Sequence, residues 1–267
     1  MATAMATTAW EAREGLTREN LQALLEGQIA ALRIPGFATA EECRRFCDAI
    51  RGGSVSGTAA QTSRMNLVGA NFSNHASSEK GAYFQLVDKS YADVSALYEA
   101  AGFNPLQRMI ERLKAVWPAG AGVAEEPGFG RYFAGGVKTR VSSGHLHYDF
   151  APHTAPDYAI GGILDQLGWN LYLEMPKGTG ETMTFRRPIP REAGKMGNGP
   201  ARALNLDRGW VDGAESFTFR PQIGEVVIIN TRYPHDVLVG DVAPGEWRAQ
   251  TSSFIGRLPD NRLVLWS

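Results

Sequence analysis

From Pro118 onward the chain is made of short runs of β-branched and aromatic residues, separated every several residues by Gly, Pro, Asn or Asp. This texture is typical of an antiparallel barrel or jelly roll, in which tight turns join short strands. No repeat with a fixed period of about 20 to 50 residues is visible, which disfavours solenoids and propellers. The predicted strands are 130–133, 138–142, 145–150, 169–174, 181–185, 216–219, 225–230, 236–239, 247–254 and 262–265.

The chain before Pro118 has a different pattern, with apolar residues at helical spacing. The predicted elements are helices over 17–27, 38–52 and 90–117, the last interrupted by Pro105, and a short strand over 30–37. Residues 52–80 are rich in Gly, Ser, Ala and Asn and show no clear period. Because a stretch this long inside a compact domain is usually functional or mobile, we interpret it as a candidate lid.

A length of 267 residues is sufficient for one large domain with a full core. We therefore predict a single domain over 1–267, of the α+β class but mainly β. Its core is a double-stranded β-helix of the jelly-roll, cupin-like kind over 118–267, and the N-terminal and flanking helices lie mostly in 1–117.

Composition excludes several classes of function. The chain carries 27 Lys and Arg against 28 Asp and Glu, a net charge of −1, so it has no field that attracts nucleic acid or an anionic membrane. It has no apolar run of the roughly 18 residues that a membrane span requires. Residues 1–8 lack the basic start of a secretory signal, and a cytoplasmic location is expected. Cys43 and Cys47, on one face of a predicted helix, favour buried reduced thiols over a redox or metal role.

The most informative segment runs from Gly144 to Phe150 and contains His145, His147 and Asp149. Side chains alternate along an extended strand, so these three share one face. Two imidazoles and a carboxylate on one face favour a bound cation. A His-x-Asp pair needs one further ligand to complete the two-histidine, one-carboxylate triad, which leaves positions open on iron.

The third ligand is expected from a distant strand, and His235 follows the predicted strand that begins at Glu225. Arg248 comes next, at the start of another strand, where it can bind the distal carboxylate of 2-oxoglutarate as a bidentate pair. In the alternative interpretation, without a metal, His147 and Asp149 form a hydrogen-bonded pair in the core and Arg248 forms an ion pair at the surface. The remaining histidines, His75 and His153, are not needed for the metal.

Further motifs extend over most of the chain. They are Gln166-Leu167, the turn from Pro176 to Thr182, Gly224-Glu225-Val226, the terminal Leu265-Trp266-Ser267, and Ile34-Pro35-Gly36-Phe37 before a helix. With the histidines, they resemble the iron- and 2-oxoglutarate-dependent oxygenases. Within these, the resemblance is to the branch that contains the halogenases of isonitrile-bearing indole alkaloids.

The resemblance implies that iron(II) is held by His147, Asp149 and His235, with 2-oxoglutarate and O2 as co-substrates and Arg248 as the 2-oxoglutarate ligand. Those halogenases carry Gly in place of the carboxylate and bind chloride there. Since Asp149 is present, we predict oxygen insertion instead of chlorination. An ungapped alignment on Asp149 places His145 at the metal-histidine position and His147 at the Gly position, an alternative that stays open here.

The implied reaction is hydroxylation, desaturation or cyclisation at an unactivated C–H bond of a small natural-product-type substrate, with release of succinate and CO2. We expect Phe150, Trp169 and residues 52–80 to contact this substrate, with Asn170 and Tyr172 on the opposite face of their strand. The absence of a basic cluster disfavours a carrier protein as partner, and nothing in the sequence predicts the oligomeric state. The competing interpretations are a cupin-like metal-binding protein and a 2-oxoglutarate-independent oxygenase.

Overall fold

The structure is a computed structural model that describes residues 9–52, 65–72, 80–140, 143–193, 205–240 and 242–267. Its helices are α1 (Arg18–Leu25), α2 (Ala40–Arg51), α3 (Lys80–Phe84), α4 (Val87–Ala101), α5 (Pro105–Val116) and the short α6 (Ala151–Thr154). The first seven strands are β1 (Ala12–Glu14), β2 (Ala31–Ile34), β3 (Met65–Val68), β4 (Ala121–Val123), β5 (Glu125–Glu126), β6 (Gly130–Arg131) and β7 (Gly136–Arg140). The later strands are β8 (Asp165–Glu174), β9 (Glu181–Phe185), β10 (Ser216–Phe219), β11 (Val226–Asn230), β12 (His235–Leu238), β13 (Arg248–Arg257) and β14 (Leu263–Trp266).

Local sequence signals explain where the helices begin and end. Thr39 accepts a hydrogen bond from the backbone N–H of Glu42, whose carboxylate accepts one from the N–H of Thr39, a capping box that starts α2. The helix predicted over 90–117 is two helices. Gly102 ends α4 in the left-handed region at φ 77°, and Asn104 caps α5 immediately before Pro105.

The described strands form a large, mostly antiparallel sheet, a smaller three-stranded sheet and the two-stranded antiparallel pair β5-β6. The large sheet has the order β1-β2-β11-β8-β13-β14-β4, and β7 pairs with β13 and with β3. Its parallel pairs are β1 with β2 and β14 with β4. The smaller sheet has the antiparallel order β10-β9-β12. Beyond β7 the chain passes back and forth between the two sheets: β8, β11, β13 and β14 belong to the large one, and β9, β10 and β12 belong to the small one.

The two faces of the large sheet have different neighbours. On one face lies the main apolar core, built from the sheet and helices α1, α2, α4 and α5. Cys43 and Cys47 of α2 are buried there as free thiols, which confirms the buried-thiol prediction, and burial raises the pKa of Cys43 to about 11. On the other face, a cavity separates the large sheet from the small one.

Several sequence expectations need correction or fall outside the described residues. The segment 145–150, predicted to be a strand, forms only isolated bridges at His147. Of the candidate lid over 52–80, residues 53–64 and 73–79, with His75, lie outside the described residues, and 65–68 form β3 at the edge of the large sheet. Among the residues described, no helix is long and apolar enough to cross a membrane.

Candidate metal and co-substrate site

A reciprocal pair of backbone hydrogen bonds brings two histidines together. The N–H of His147 donates to the carbonyl of His235 over 3.0 Å, and the N–H of His235 donates back over 2.8 Å. Two residues further along, the N–H of Asp149 donates to the carbonyl of Thr231 over 2.8 Å, and the Thr231 hydroxyl donates to the Asp149 carbonyl over 3.0 Å. This antiparallel contact fixes Asp149 relative to both histidines.

The three side chains converge on one point. The Nε2 atom of His147 lies 3.6 Å, and that of His235 3.5 Å, from the same Oδ2 atom of Asp149. One ligand atom from each of the three residues lies within 4.8 Å of the others, so a single cation can contact all three. This donor set of two imidazoles and one carboxylate fits a divalent transition metal such as iron(II) and leaves further coordination positions free.

Main-chain carbonyls orient both imidazole rings. The Nδ1 atom of His147 lies 2.6 Å from the carbonyl oxygen of His145, and Nδ1 of His235 lies 3.0 Å from that of Tyr233. Each Nδ1–H therefore donates to the backbone, and the tautomer assigned from these hydrogen bonds leaves Nε2 as a free ligand atom.

Electrostatics favour the protonation states that bind a metal. Burial, reinforced by the neighbouring His235, lowers the pKa of His147 to about 4, so its ring is neutral at neutral pH. Burial opposes ionisation of Asp149, but the two imidazoles and Lys138 outweigh it, and the net effect lowers the pKa of this carboxyl.

The structure thus brings together His147, Asp149 and His235, the triad that the sequence predicted. His145 does not join it, because its side chain is exposed and only its carbonyl contacts His147. The alternative alignment with His145 as a ligand is not supported by this geometry. His153 is engaged elsewhere, with its ring nitrogens 3.2 Å from the Tyr148 hydroxyl and 2.9 Å from a backbone carbonyl.

Arg248 is buried in the wall of the same cavity, with 4% of its surface exposed. Its Nη2 atom donates to the Tyr172 hydroxyl over 3.1 Å and to the Thr182 hydroxyl over 3.4 Å. Its Nε–H has no partner among the described residues. A buried guanidinium with an unused donor is suited to a carboxylate ligand, which satisfies two of its N–H groups at once.

The cavity has a volume of about 140 Å³ and receives side chains from both sheets. Among the described residues, its charged and titratable lining residues are Lys138, Arg140, His147, Asp149, Tyr172, His235 and Arg248. Its apolar lining includes Phe219, Val227, Ile229, Val237 and Phe254. The metal group, the buried arginine and an apolar wall therefore share one compartment.

The two aromatic residues predicted to bind substrate lie in the core. Phe150 is 1% exposed, is not among the cavity-lining residues, and packs its ring edge-on to His153 with centroids 4.9 Å apart. Trp169 borders the cavity, but it is fully buried and belongs to the main core. The alternation of this strand is the reverse of the predicted one, because Tyr172 and Asn170 face the cavity.

Sequence reasoning also missed two cavity residues, Lys138 and Arg140 on β7. Neither residue was assigned a role from the sequence. Their alternate positions in the strand that precedes the His-x-Asp segment were the available signal.

The fold has close counterparts among solved structures. An N-substituted L-amino acid dioxygenase from Burkholderia ambifaria, solved in complex with alpha-ketoglutarate, superposes with a TM-score of 0.59 at 12% identity, over 93% of this chain and 90% of that one. An epimerase solved with Fe3+, alpha-ketoglutarate and nogalamycin RO superposes with a TM-score of 0.51 at 15% identity, over 91% and 86%. At these identities the similarity shows the fold alone, which the chain shares with these two enzymes. The predicted cofactors, iron and 2-oxoglutarate, are those of these neighbours, and the His-Asp-His group supplies a matching set of ligands.

Sequence comparison adds two relatives. Leucinostatins biosynthesis cluster protein S of Purpureocillium lilacinum is 33% identical over 204 residues, which cover 73% of this chain and 82% of that protein. The chain belongs to the family of that protein. The L-gamma-glutamyl-L-propargylglycine hydroxylase of Streptantibioticus cattleyicolor is 26% identical over 268 residues, 94% of this chain and 93% of that enzyme. No established family profile matches the chain.

Proposed function

We propose that the chain is an iron(II)- and 2-oxoglutarate-dependent oxygenase that hydroxylates an unactivated C–H bond of a small natural-product-type molecule, with release of succinate and CO2. The observation that carries this proposal is the presence of three metal-ligand side chains and the buried Arg248 in one cavity. A buried guanidinium is costly unless an anion pairs with it. A cupin-like protein that only binds a metal has no use for such a group.

The strand order supports the fold class proposed from the sequence. From β8 to β13 the chain passes back and forth between two sheets: β8, β11 and β13 lie in the large one, and β9, β10 and β12 lie in the small one. This arrangement supports the proposal of a double-stranded β-helix. We propose that these strands form a jelly roll and that residues 1–267 are one oxygenase domain.

Each residue of the site has a separate task in this proposal. His147, Asp149 and His235 would hold the iron, and Arg248 would pair with the distal carboxylate of 2-oxoglutarate. When bound, iron and 2-oxoglutarate supply the activation of O2 and the removal of hydrogen from the substrate. The chain itself holds the His147 imidazole neutral, orients both imidazoles, neutralises the co-substrate, and shields the reacting C–H bond from water with the apolar wall of the cavity.

Asp149 favours oxygen insertion over halogenation. A carboxylate at this position fills the coordination site that a chloride ion would need, as expected from the comparison with the indole alkaloid halogenases. The hydroxylase relative from Streptantibioticus cattleyicolor agrees with this choice, and the leucinostatin cluster relative agrees with a natural-product substrate. Desaturation and cyclisation begin with the same removal of hydrogen, and product analysis separates them.

We also propose that the enzyme works in the cytoplasm on a free small molecule, without nucleic acid, membrane or carrier protein as a partner. The net charge of −1 and the two buried free thiols support this setting.

The direct test is an anaerobic titration of the iron(II)-loaded protein with 2-oxoglutarate, followed by visible absorption. We expect a weak charge-transfer band, and slow formation of succinate after O2 is admitted. Asp149→Ala is expected to lose iron, whereas Arg248→Met keeps iron and requires more 2-oxoglutarate. Iron binding with neither a band nor succinate would favour the cupin-like alternative.

A further inference from the structure

A second cationic feature lies beside Arg248, where β7 pairs with β13. In this antiparallel pair Arg140 lies directly opposite Arg248, and Lys138 lies directly opposite Gln250. Residues directly opposite each other share a face, and all four line the cavity. Like charges at opposite positions destabilise a sheet, so an anion bound in the cavity would reduce the repulsion between them.

Bound 2-oxoglutarate, a dianion, does not by itself balance the positive charge of the cavity. Among the described residues, the charged groups that line it are three cations, Lys138, Arg140 and Arg248, and one carboxylate, Asp149, while Asp236 attracts Arg140 from outside the lining. A divalent metal would add two further positive charges, and bound 2-oxoglutarate would remove two. Positive charge therefore remains after the metal and the co-substrate are both in place.

Of the cavity cations Lys138 and Arg140, Lys138 has the fewer partners that offset its positive charge. Arg140 experiences the attraction of Asp236, a buried carboxylate that also pairs with Arg208. Lys138 has no hydrogen-bond or ion-pair partner among the residues described. Burial lowers its pKa, the two arginines add to this effect, and only Asp149 opposes it. That carboxylate is committed to the metal in the proposed function.

We infer that Lys138, supported by Arg140, binds a carboxylate of the primary substrate. This inference rests on the proposed function and narrows the substrate to a small carboxylic acid. The rest of the substrate should be apolar, because Val227, Ile229 and Val237 present an apolar wall to the same cavity. The substrate is therefore an acid with an apolar body, held by its carboxylate while one of its C–H bonds faces the metal group.

The test measures binding without turnover. Protein loaded with manganese(II) and saturated with 2-oxoglutarate is titrated calorimetrically with hexanoate, N-acetyl-L-leucine, N-acetyl-L-methionine and N-acetyl-L-phenylalanine, and with the primary amide of each. At least one acid is expected to bind roughly 10-fold or more tightly than its amide, as a charge-assisted hydrogen bond provides. Lys138→Met should weaken the binding of that acid roughly 10- to 100-fold and leave the binding of its amide unchanged.

The controls separate a binding role from a folding role. Lys138→Arg keeps the charge and should retain most of the preference for the acid, whereas Lys114→Met removes an exposed lysine of α5 and should change nothing. Titration of each variant with 2-oxoglutarate should give dissociation constants within about threefold of the parent.

Two results would overturn the inference. One is the absence of any acid preference in the parent protein, or a preference that survives in Lys138→Met. The other is a large loss of 2-oxoglutarate affinity in Lys138→Met, which would assign the lysine to the co-substrate. Failure of the parent protein to bind 2-oxoglutarate is a separate outcome, because it contradicts the proposed function itself.

Discussion

The two faces of β8 have opposite roles although their residues alternate along one strand. On the helix side, Leu167, Trp169 and Leu171 are fully buried in the main core. On the cavity side, Asn170 accepts a hydrogen bond from Gln250 over 2.7 Å, and Tyr172 accepts one from Arg248. Because side chains alternate with a period of two, neighbouring residues serve stability and ligand binding separately.

This contrast implies that substitutions on the two sides have different consequences. Changes on the core side should reduce the free energy of unfolding and leave the ligand affinities of the folded protein intact. Changes on the cavity side should reduce binding and activity with little effect on folding. Four substitutions test this division, in order of decreasing expected effect.

The largest effect is expected from the metal ligand His147, with His145 as its matched control. His147→Ala removes a ligand atom and should lower iron affinity more than about 100-fold, beyond the usual effect of outer-shell changes, and abolish succinate formation. His145→Ala keeps the backbone carbonyl that orients His147, so iron should remain bound. Metal analysis after gel filtration measures the iron content of both variants. Loss of iron in His145→Ala would reinstate the alternative ligand assignment.

On the core side, Trp169→Ala should lower the free energy of unfolding by about 3–5 kcal/mol, because it leaves a large void in a packed core. Chemical denaturation measures this change. Phe129 is 46% exposed, and Phe129→Ala should change stability by less than about 0.5 kcal/mol. If folded Trp169→Ala protein lost its 2-oxoglutarate affinity, the separation of the two faces would be wrong.

Arg248→Met should weaken 2-oxoglutarate binding by about 1.5–3 kcal/mol, since it removes hydrogen bonds from a charged donor. Anaerobic titration with visible detection gives the dissociation constant. Iron affinity should be unchanged, because Arg248 is not part of the His-Asp-His group. Unchanged 2-oxoglutarate affinity in this variant would contradict its proposed role.

The smallest effect is expected for Tyr172→Phe, which removes the hydroxyl that accepts from Arg248 and keeps the ring. We expect 2-oxoglutarate to bind about 1 kcal/mol more weakly, the usual contribution of one hydrogen bond. The same titration measures it, with Tyr91→Phe as a control whose hydroxyl donates to a backbone carbonyl outside the cavity. Equal effects from both variants would show that Tyr172 acts through general stability alone.

The metal triad could be predicted from the sequence because few residue types bind iron and their spacing is informative. His147 and Asp149 stay on one side even though 145–150 lacks a regular ladder, since burial still alternates along this segment. His235 was identified as the histidine that follows a late strand. These inferences required local geometry and ligand chemistry only.

The walls of the cavity could not be predicted in the same way. Nearly every residue of β8 is buried on one face or the other, so hydrophobicity does not reveal which face meets helices and which meets the cavity. That is why the sequence placed Tyr172, which lines the cavity, on the opposite face from the substrate, and did not reveal that Trp169, which borders the cavity, packs mainly in the core. Lys138 was missed for the opposite reason, because a charged residue in a strand normally indicates a solvent-exposed face.

Because backbone carbonyls orient the two metal-binding imidazoles, the metal site responds to amino-acid substitution in a particular way. Their Nδ1–H groups donate to the carbonyls of His145 and Tyr233, each two residues earlier in the chain. Every amino acid supplies a carbonyl, so these two hydrogen bonds do not depend on which side chains stand at the two positions. The path of the main chain sets the orientation of both ligands, and the exposed His145 can be replaced without turning the ring of His147, whereas Tyr233 is also held by its packing against Trp10.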